Sequence, residues 1–224
     1  MFRRLLAPLA GTATCMAGYL IARPYGDMSG TTDGMARAFA HPLWIASHVA
    51  GMLALCQFTR VASRLDDIVG TRLSRAARTA ALVGLVGCLP YYGAETFALN
   101  ALGNEHITTG VPHFEQLVEE VRSGAAAMTF FATGLGGYAA TGVLMALTWQ
   151  RAGGRPSWAA WPLGLLALGF LPQFYLPQTG RMAYGVAWAM ASAVLAWASL
   201  RPGDSGQSAG EGLVHHQPDL VENR

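Results

Sequence analysis

Six apolar stretches, near residues 5–22, 41–61, 79–102, 124–148, 158–177 and 182–200, constrain this chain more than any other feature of it. At 1.5 Å of rise per helical residue, each is about long enough to cross roughly 30 Å of hydrocarbon. In hydrocarbon every backbone N–H and C=O must find its partner within the segment, so such stretches fold as helices. The expected class is an all-α polytopic membrane protein, a bundle of six transmembrane helices over residues 1–201. Residues 202–224 are rich in Gly, Ser, Gln and acid, show no periodicity, and read as a disordered cytoplasmic tail. The composition agrees: 52% of the residues are hydrophobic and 12% charged, where soluble domains carry about 25% charged residues. The first stretch follows Arg3 and Arg4 as a signal peptide would. It lacks an A-x-A cleavage site and ends in Arg23-Pro24, so it is kept as a helix.

Orientation follows from the arginines, since the chain has no lysine. Arg3, Arg4, Arg60, Arg64, Arg72, Arg75, Arg78, Arg151, Arg155 and Arg201 fall on one side of a six-helix arrangement, which the positive-inside rule makes cytoplasmic, with both termini there. Trp149, Trp158, Trp161 and Trp197 are placed as an aromatic belt near that side. The opposite loop, residues 103–123, carries Glu105, Glu115, Glu119 and Glu120 against Arg122. Within it Phe114, Leu117, Val118 and Val121 recur at helical spacing and predict a short amphipathic helix on the membrane surface, a lid for an outward-facing cavity.

Glu95 is the one acid inside the apolar stretches. An ionised carboxylate in hydrocarbon costs several kcal/mol unless paired or wetted, so an isolated one tends to hold its proton and is a candidate acid or proton relay. The alternative is a carboxyl that only hydrogen-bonds between helices. Helix direction converts position into depth. His48 lies seven residues below the outer end of its stretch, Glu95 seven below the end of its own, and Trp188 at the same level, about 10 Å down. Trp44, Tyr91, Tyr92, Gln173 and Tyr184 crowd the same outer half, and Pro90, Pro172 and Pro177 interrupt helices beside them. Such breaks are tolerated at membrane depth where protein or a cavity satisfies the freed carbonyls. These positions predict an outward-half pocket with Glu95 and His48 as catalytic candidates. Trp44, Tyr91, Tyr92, Gln173, Tyr184 and Trp188 are the substrate-binding candidates, with packing as the alternative for each aromatic ring. Arg181 reads as an interfacial anchor or a holder of an anionic headgroup. Gly134, Gly136 and Gly137 read as a close helix contact.

Other chemistry lacks its motifs. Asp66-Asp67 invites comparison with diphosphate-binding aspartate motifs but lacks the further aspartate that would complete a Mg²⁺ site, and reads as a solvated charged loop. No P-loop, dinucleotide fingerprint or serine nucleophile elbow is present. Cys15, Cys56 and Cys88 stand singly, without zinc or disulfide spacing. Neither metal nor cofactor is expected, and the net charge of +2 gives no nucleic-acid signal. His41 and His48, two turns apart, raise haem binding as an alternative, but a second helix with a histidine at matching depth is missing. A transporter or lipid-binding protein is the other alternative, without an evident inverted repeat.

The stretches His41-Pro42-Leu43-Trp44 through His48 and Tyr91-Tyr92-Gly93-Ala94-Glu95-Thr96-Phe97 resemble small six-helix membrane proteins of actinobacterial type. In size, helix number and possession of an intramembrane acid, the chain also resembles the small integral-membrane terpene cyclases of meroterpenoid and indole-sesquiterpenoid pathways. The likeness is architectural, spans roughly residues 1–200, and carries over Glu95 alone, as the buried acid. It implies metal-free cyclisation of a prenylated, lipophilic terpenoid substrate, begun by protonating an alkene or epoxide, with aromatic faces stabilising the cation. Membrane lipid is the other expected partner.

Overall fold

The computed structural model describes residues 2–201; the tail expected at 202–224 lies outside them. Helices make up the described chain and no strand occurs among these residues. A 3₁₀ turn, Phe2–Leu5, leads into α1 (Leu6–Ala22); α2 (Thr32–Ala40) follows a loop with a second 3₁₀ turn, Gly26–Met28. Then come α3 (Pro42–Val69), α4 (Arg72–Gly93), α5 (Leu99–Thr109), α6 (Phe114–Ser123), α7 (Ala125–Arg151), α8 (Trp161–Leu168) and α9 (Gln178–Leu200). Five helical runs are long and apolar enough to cross a membrane: Phe2–Ala22, Pro42–Val69, Arg72–Thr109, Ala125–Arg151 and Gln178–Leu200.

The stretch at 158–177 departs from expectation. Instead of a spanning helix it forms the eight-residue α8, stopped at Gly169, and a 3₁₀ turn, Pro172–Tyr175. Pro172 and Pro177 lack the N–H that would continue the ladder, and Pro177 caps α9. The helix at 41–61, by contrast, runs on to Val69, so Asp66 and Asp67 lie in its last turn and not in a loop. Asp66 is buried and accepts a hydrogen bond from the Ser74 hydroxyl at 2.7 Å, tying α3 to the Thr71–Ser74 capping box of α4.

Small residues set the tightest contact. A Cβ added to Gly87 of α4 would lie 2.6 Å from the backbone of Gly134, so only glycine lets α4 and α7 approach this closely. In a bilayer, where apolar burial between helices gains little over lipid, such contact supplies much of the association through dispersion. Gly137 packs on Gly84 in the same seam, whereas Gly136 faces open space. Val86, Phe97, Phe130, Leu165 and Met190 are exposed around the bundle, where hydrocarbon would cover them. Trp158 and Trp197 are exposed, but Trp149 is 1% exposed, packs at a tilt against Phe2 and donates to the Pro156 carbonyl.

The end of the bundle opposite the chain's N-terminus carries a cap. Ala36, Phe39, Trp44, Leu99, Phe114 and Val118 form a second apolar cluster, separate from the main core, that joins α2, α3, α5 and α6. The amphipathic α6 is therefore docked on protein through its apolar face. Phe114 and Val118 are its buried pair, and Leu117 is exposed.

Candidate functional site

Pro90 lies inside α4, and four residues later the helix widens into a π turn, Ala94–Ala98, that carries Glu95. A missing proline N–H loosens the ladder, and π turns of this kind concentrate at functional sites. The Glu95 carbonyl accepts the indole N–H of Trp44 at 2.8 Å, which pins the widened turn to α3.

One turn after Trp44 on α3 stands His48, 1% exposed. Its Nδ1 is 2.7 Å from the Trp44 carbonyl. A carbonyl only accepts, so Nδ1 carries a proton and Nε2 is the nitrogen left for chemistry. Nε2 faces the Glu95 carboxylate at 3.6 Å. The expected juxtaposition of His48 and Glu95 is thus present, and the expected isolation of Glu95 is not. Arg122 of α6 donates from Nε to Glu95 Oε1 at 2.8 Å. Its Nη2 reaches Asp27 Oδ2 at 3.1 Å, and Arg23 Nη2 reaches the same oxygen at 2.6 Å. His48, Glu95, Arg122, Asp27 and Arg23 form one chain of alternating partners across four segments. Burial disfavours the charges of Arg23 and Arg122, but their carboxylates more than offset it, so both guanidinium pKa values are raised. The Arg23 guanidinium also lies 5.0 Å from the centre of the Trp44 ring, whose indole packs 4.2 Å from the His48 ring.

These groups line a cavity of about 260 Å³. Arg23, Asp27, Glu95, Arg122, Arg181 and His48 supply its charged and titratable wall, and Tyr19, Tyr91, Tyr92, Met28 and Phe174 the rest. A larger cleft, about 520 Å³ between the ends of α3, α4 and α7, is lined by no acid, histidine or cysteine. Of these two, the smaller cavity is the one that brings acid and histidine side chains together. Gly51 gives the tyrosines room: a Cβ there would lie 3.1 Å from Tyr19 and 3.2 Å from Tyr92.

The remaining predicted site residues divide. Tyr91 and Tyr92 line the cavity, and Trp44 supports it through Glu95 and His48. Trp188 lies elsewhere: it donates to Thr12 at 3.1 Å and packs on Phe58, inside the main core. Depth matched it to Glu95, but its direction around α9 takes it toward α1. Tyr184 donates to the Leu166 carbonyl, joining α9 to α8, and does not line the cavity. Gln173 is buried beside the cavity-lining Phe174, with neither amide atom hydrogen-bonded among the described residues. His41 is an exposed N-cap of α3, accepting from the Leu43 N–H.

Arg23, Asp27, Arg122 and Tyr19 were not among the sequence candidates. For Arg122 a signal existed. It follows Val118 by four residues and Phe114 by eight, so it shares their buried stripe. Asp27 sits in a short polar loop with no such pattern. Compared with known proteins, the chain matches no family model, no curated protein and no solved structure.

Proposed function

We propose that this chain is an integral-membrane enzyme that performs general acid–base chemistry on a lipophilic substrate held in the α6-end cavity. The observation that carries the proposal is His48 Nε2 facing the Glu95 carboxylate at 3.6 Å inside a cavity, with Nδ1 held by a backbone carbonyl. In its specific form the reaction is the metal-free cyclisation of a terpenoid chain. Substrate draws Arg122 away, Glu95 takes up a proton and delivers it to an epoxide oxygen or alkene carbon. The released electron demand is met by an alkene π pair, which forms the ring bond, and the final cation loses its proton to His48 Nε2. Glu95, 3.6 Å away, receives that proton back, so the cycle is an isomerisation with no net proton consumed. The rings of Tyr19, Tyr91 and Tyr92 support this reading as cation-stabilising faces. Binding or transport without chemistry is a second reading, favoured by the three arginines in the wall.

The test uses membranes containing the full chain, a farnesylated or geranylgeranylated acceptor, its epoxide, and EDTA. Wild type should form a cyclised isomer, and Glu95→Gln should lower turnover by on the order of 10² to 10⁴. Cyclisation by a folded Glu95→Gln at the wild-type rate, or its abolition by EDTA, would overturn the mechanism. Uptake into proteoliposomes without any product would favour the second reading.

A further inference from the structure

Arg23 is over-supplied with donors for the partners it has. Its side chain is 5% exposed, and of its three nitrogens only Nη2 is hydrogen-bonded; Nε and Nη1 are buried without a partner among the described residues. Orphaned donors on a buried cation are costly, and ordinarily an acceptor group meets them. Arg181 repeats the theme. It lines the same cavity, donates only to the carbonyls of Leu176 and Phe174, and makes no carboxylate pair among the described residues. Within the wall, Arg23 and Arg122 are balanced by Asp27 and Glu95, which leaves Arg181 as an uncompensated positive charge. Asp27 Oδ1, also unpartnered, limits how close an anion can come on that side.

A second cavity adjoins this one. About 290 Å³ of groove lies along α7 and α8, lined by apolar residues including Leu135, Gly136, Ala139 and Leu168. Phe131 lines it and stacks on Tyr91 at 4.1 Å and packs on Phe174 at 5.6 Å, both of which line the charged cavity. Three packed rings, Phe131, Tyr91 and Phe174, thus stand between the arginine-rich site and the apolar groove.

We propose that the site binds a single-chain amphiphile, its carboxylate or phosphate head between Arg23 and Arg181 and its hydrocarbon chain past Phe131 into the α7–α8 groove. This deepens the proposed function by naming the substrate class, and it rests on that reading in placing the substrate in this cavity. A head cavity of about 260 Å³ has room for an oxyanion and a few carbons, which fits one chain better than a glycerophospholipid headgroup with two.

Titration of the detergent-purified full chain, followed by tryptophan fluorescence and calorimetry, tests it with dodecyl phosphate, dodecanoate, dodecanol and inorganic phosphate as probes. A nanodisc arm compares phosphatidylglycerol with phosphatidylcholine. The two anionic amphiphiles should bind at least about tenfold more tightly than dodecanol or inorganic phosphate, because charge-assisted hydrogen bonds and the groove each contribute. Arg181→Gln should lose about tenfold for the anions and nothing for dodecanol. Arg23→Gln should do the same if its thermal unfolding shows it folded; Arg181, bonded only to carbonyls, decides the matter if it is not. Gly136→Leu fills open groove space and should weaken the amphiphiles while sparing inorganic phosphate. Equal binding of dodecanol, wild-type affinity in Arg181→Gln, or no effect of Gly136→Leu would each overturn the corresponding part. Loss of dodecyl phosphate binding in phosphatidylglycerol nanodiscs, with binding kept in phosphatidylcholine nanodiscs, would mean that the two-chain lipid occupies the site and would overturn the single-chain assignment. Binding that behaves as expected without turnover in membranes sinks the enzyme reading alone; turnover of a neutral substrate that is unchanged in Arg181→Gln sinks the anion site alone.

Discussion

At the scale of the residue, the lesson of Glu95 is that an acid in an apolar stretch states a demand, and only the fold says how it is met. Here the demand is met by Arg122, 27 positions later in the sequence, with His48 on the other side. A test of this pairing is a double-mutant cycle with Glu95→Gln and Arg122→Gln, read by thermal unfolding in detergent. Each single variant strands a partly buried charge, so each should cost about 1–3 kcal/mol, and the double variant should cost less than the sum. Additive losses would mean that the pair is a contact without coupling. Because the Arg122 pKa is raised, its contribution is present below the unfolded value and lost only on passing above it. The coupling should therefore persist when the pH is taken up to about 10, well below the ordinary arginine range. His48 was legible in the sequence because a depth count needs only helix direction. Trp188 misled for the same reason, since depth does not give direction around the axis, and that direction was decided by Thr12 and Phe58 on other helices.

At the scale of the element, hydropathy found the long helices and could not find their breaks. The 158–177 stretch is as apolar as a spanning helix, yet Gly169, Pro172 and Pro177 divide it. Those residues were visible in the sequence, but proline is tolerated inside some membrane helices, and α4 with Pro90 is one of them. Glycine was similarly ambiguous until its neighbours were known. Gly134 and Gly136 are two residues apart on α7, one locked against Gly87 and one facing open space. Gly134→Leu should destabilise the bundle by about 1–3 kcal/mol or more through overpacking. Gly136→Ala should be neutral or stabilise by up to about 1 kcal/mol through helix propensity. Thermal unfolding of the two variants in one detergent compares them directly, and similar losses in both would refute the seam.

At the scale of the whole molecule, two packed regions meet at the site: the main core of the bundle and the smaller cluster of α2, α3, α5 and α6. The arginine-rich turn between α3 and α4, the end of α7 and the chain's beginning share the end away from the site: the first two line one cleft, and Phe2 packs on Trp149. The arginine asymmetry predicts that this end faces the cytoplasm. A cysteine introduced at Glu119 should then react with an impermeant maleimide added to intact cells, and one at Arg151 should react only after lysis. The opposite pattern reverses the orientation and puts the cavity on the cytoplasmic side. That α6 caps the cavity was legible as an amphipathic segment; that it delivers an arginine into the cavity wall was hidden by its three glutamates.

The 27-residue interval between Glu95 and Arg122 also sets an order of events during synthesis. His48 and the Arg23–Asp27 pair emerge from the ribosome before Glu95, and Arg122 emerges after it. The helix carrying the acid emerges before its α6 counter-charge does, with the earlier histidine as the partner already outside. The Arg122–Glu95 pair can therefore close only once α6 has emerged, so the site is completed later than the helix that carries its acid.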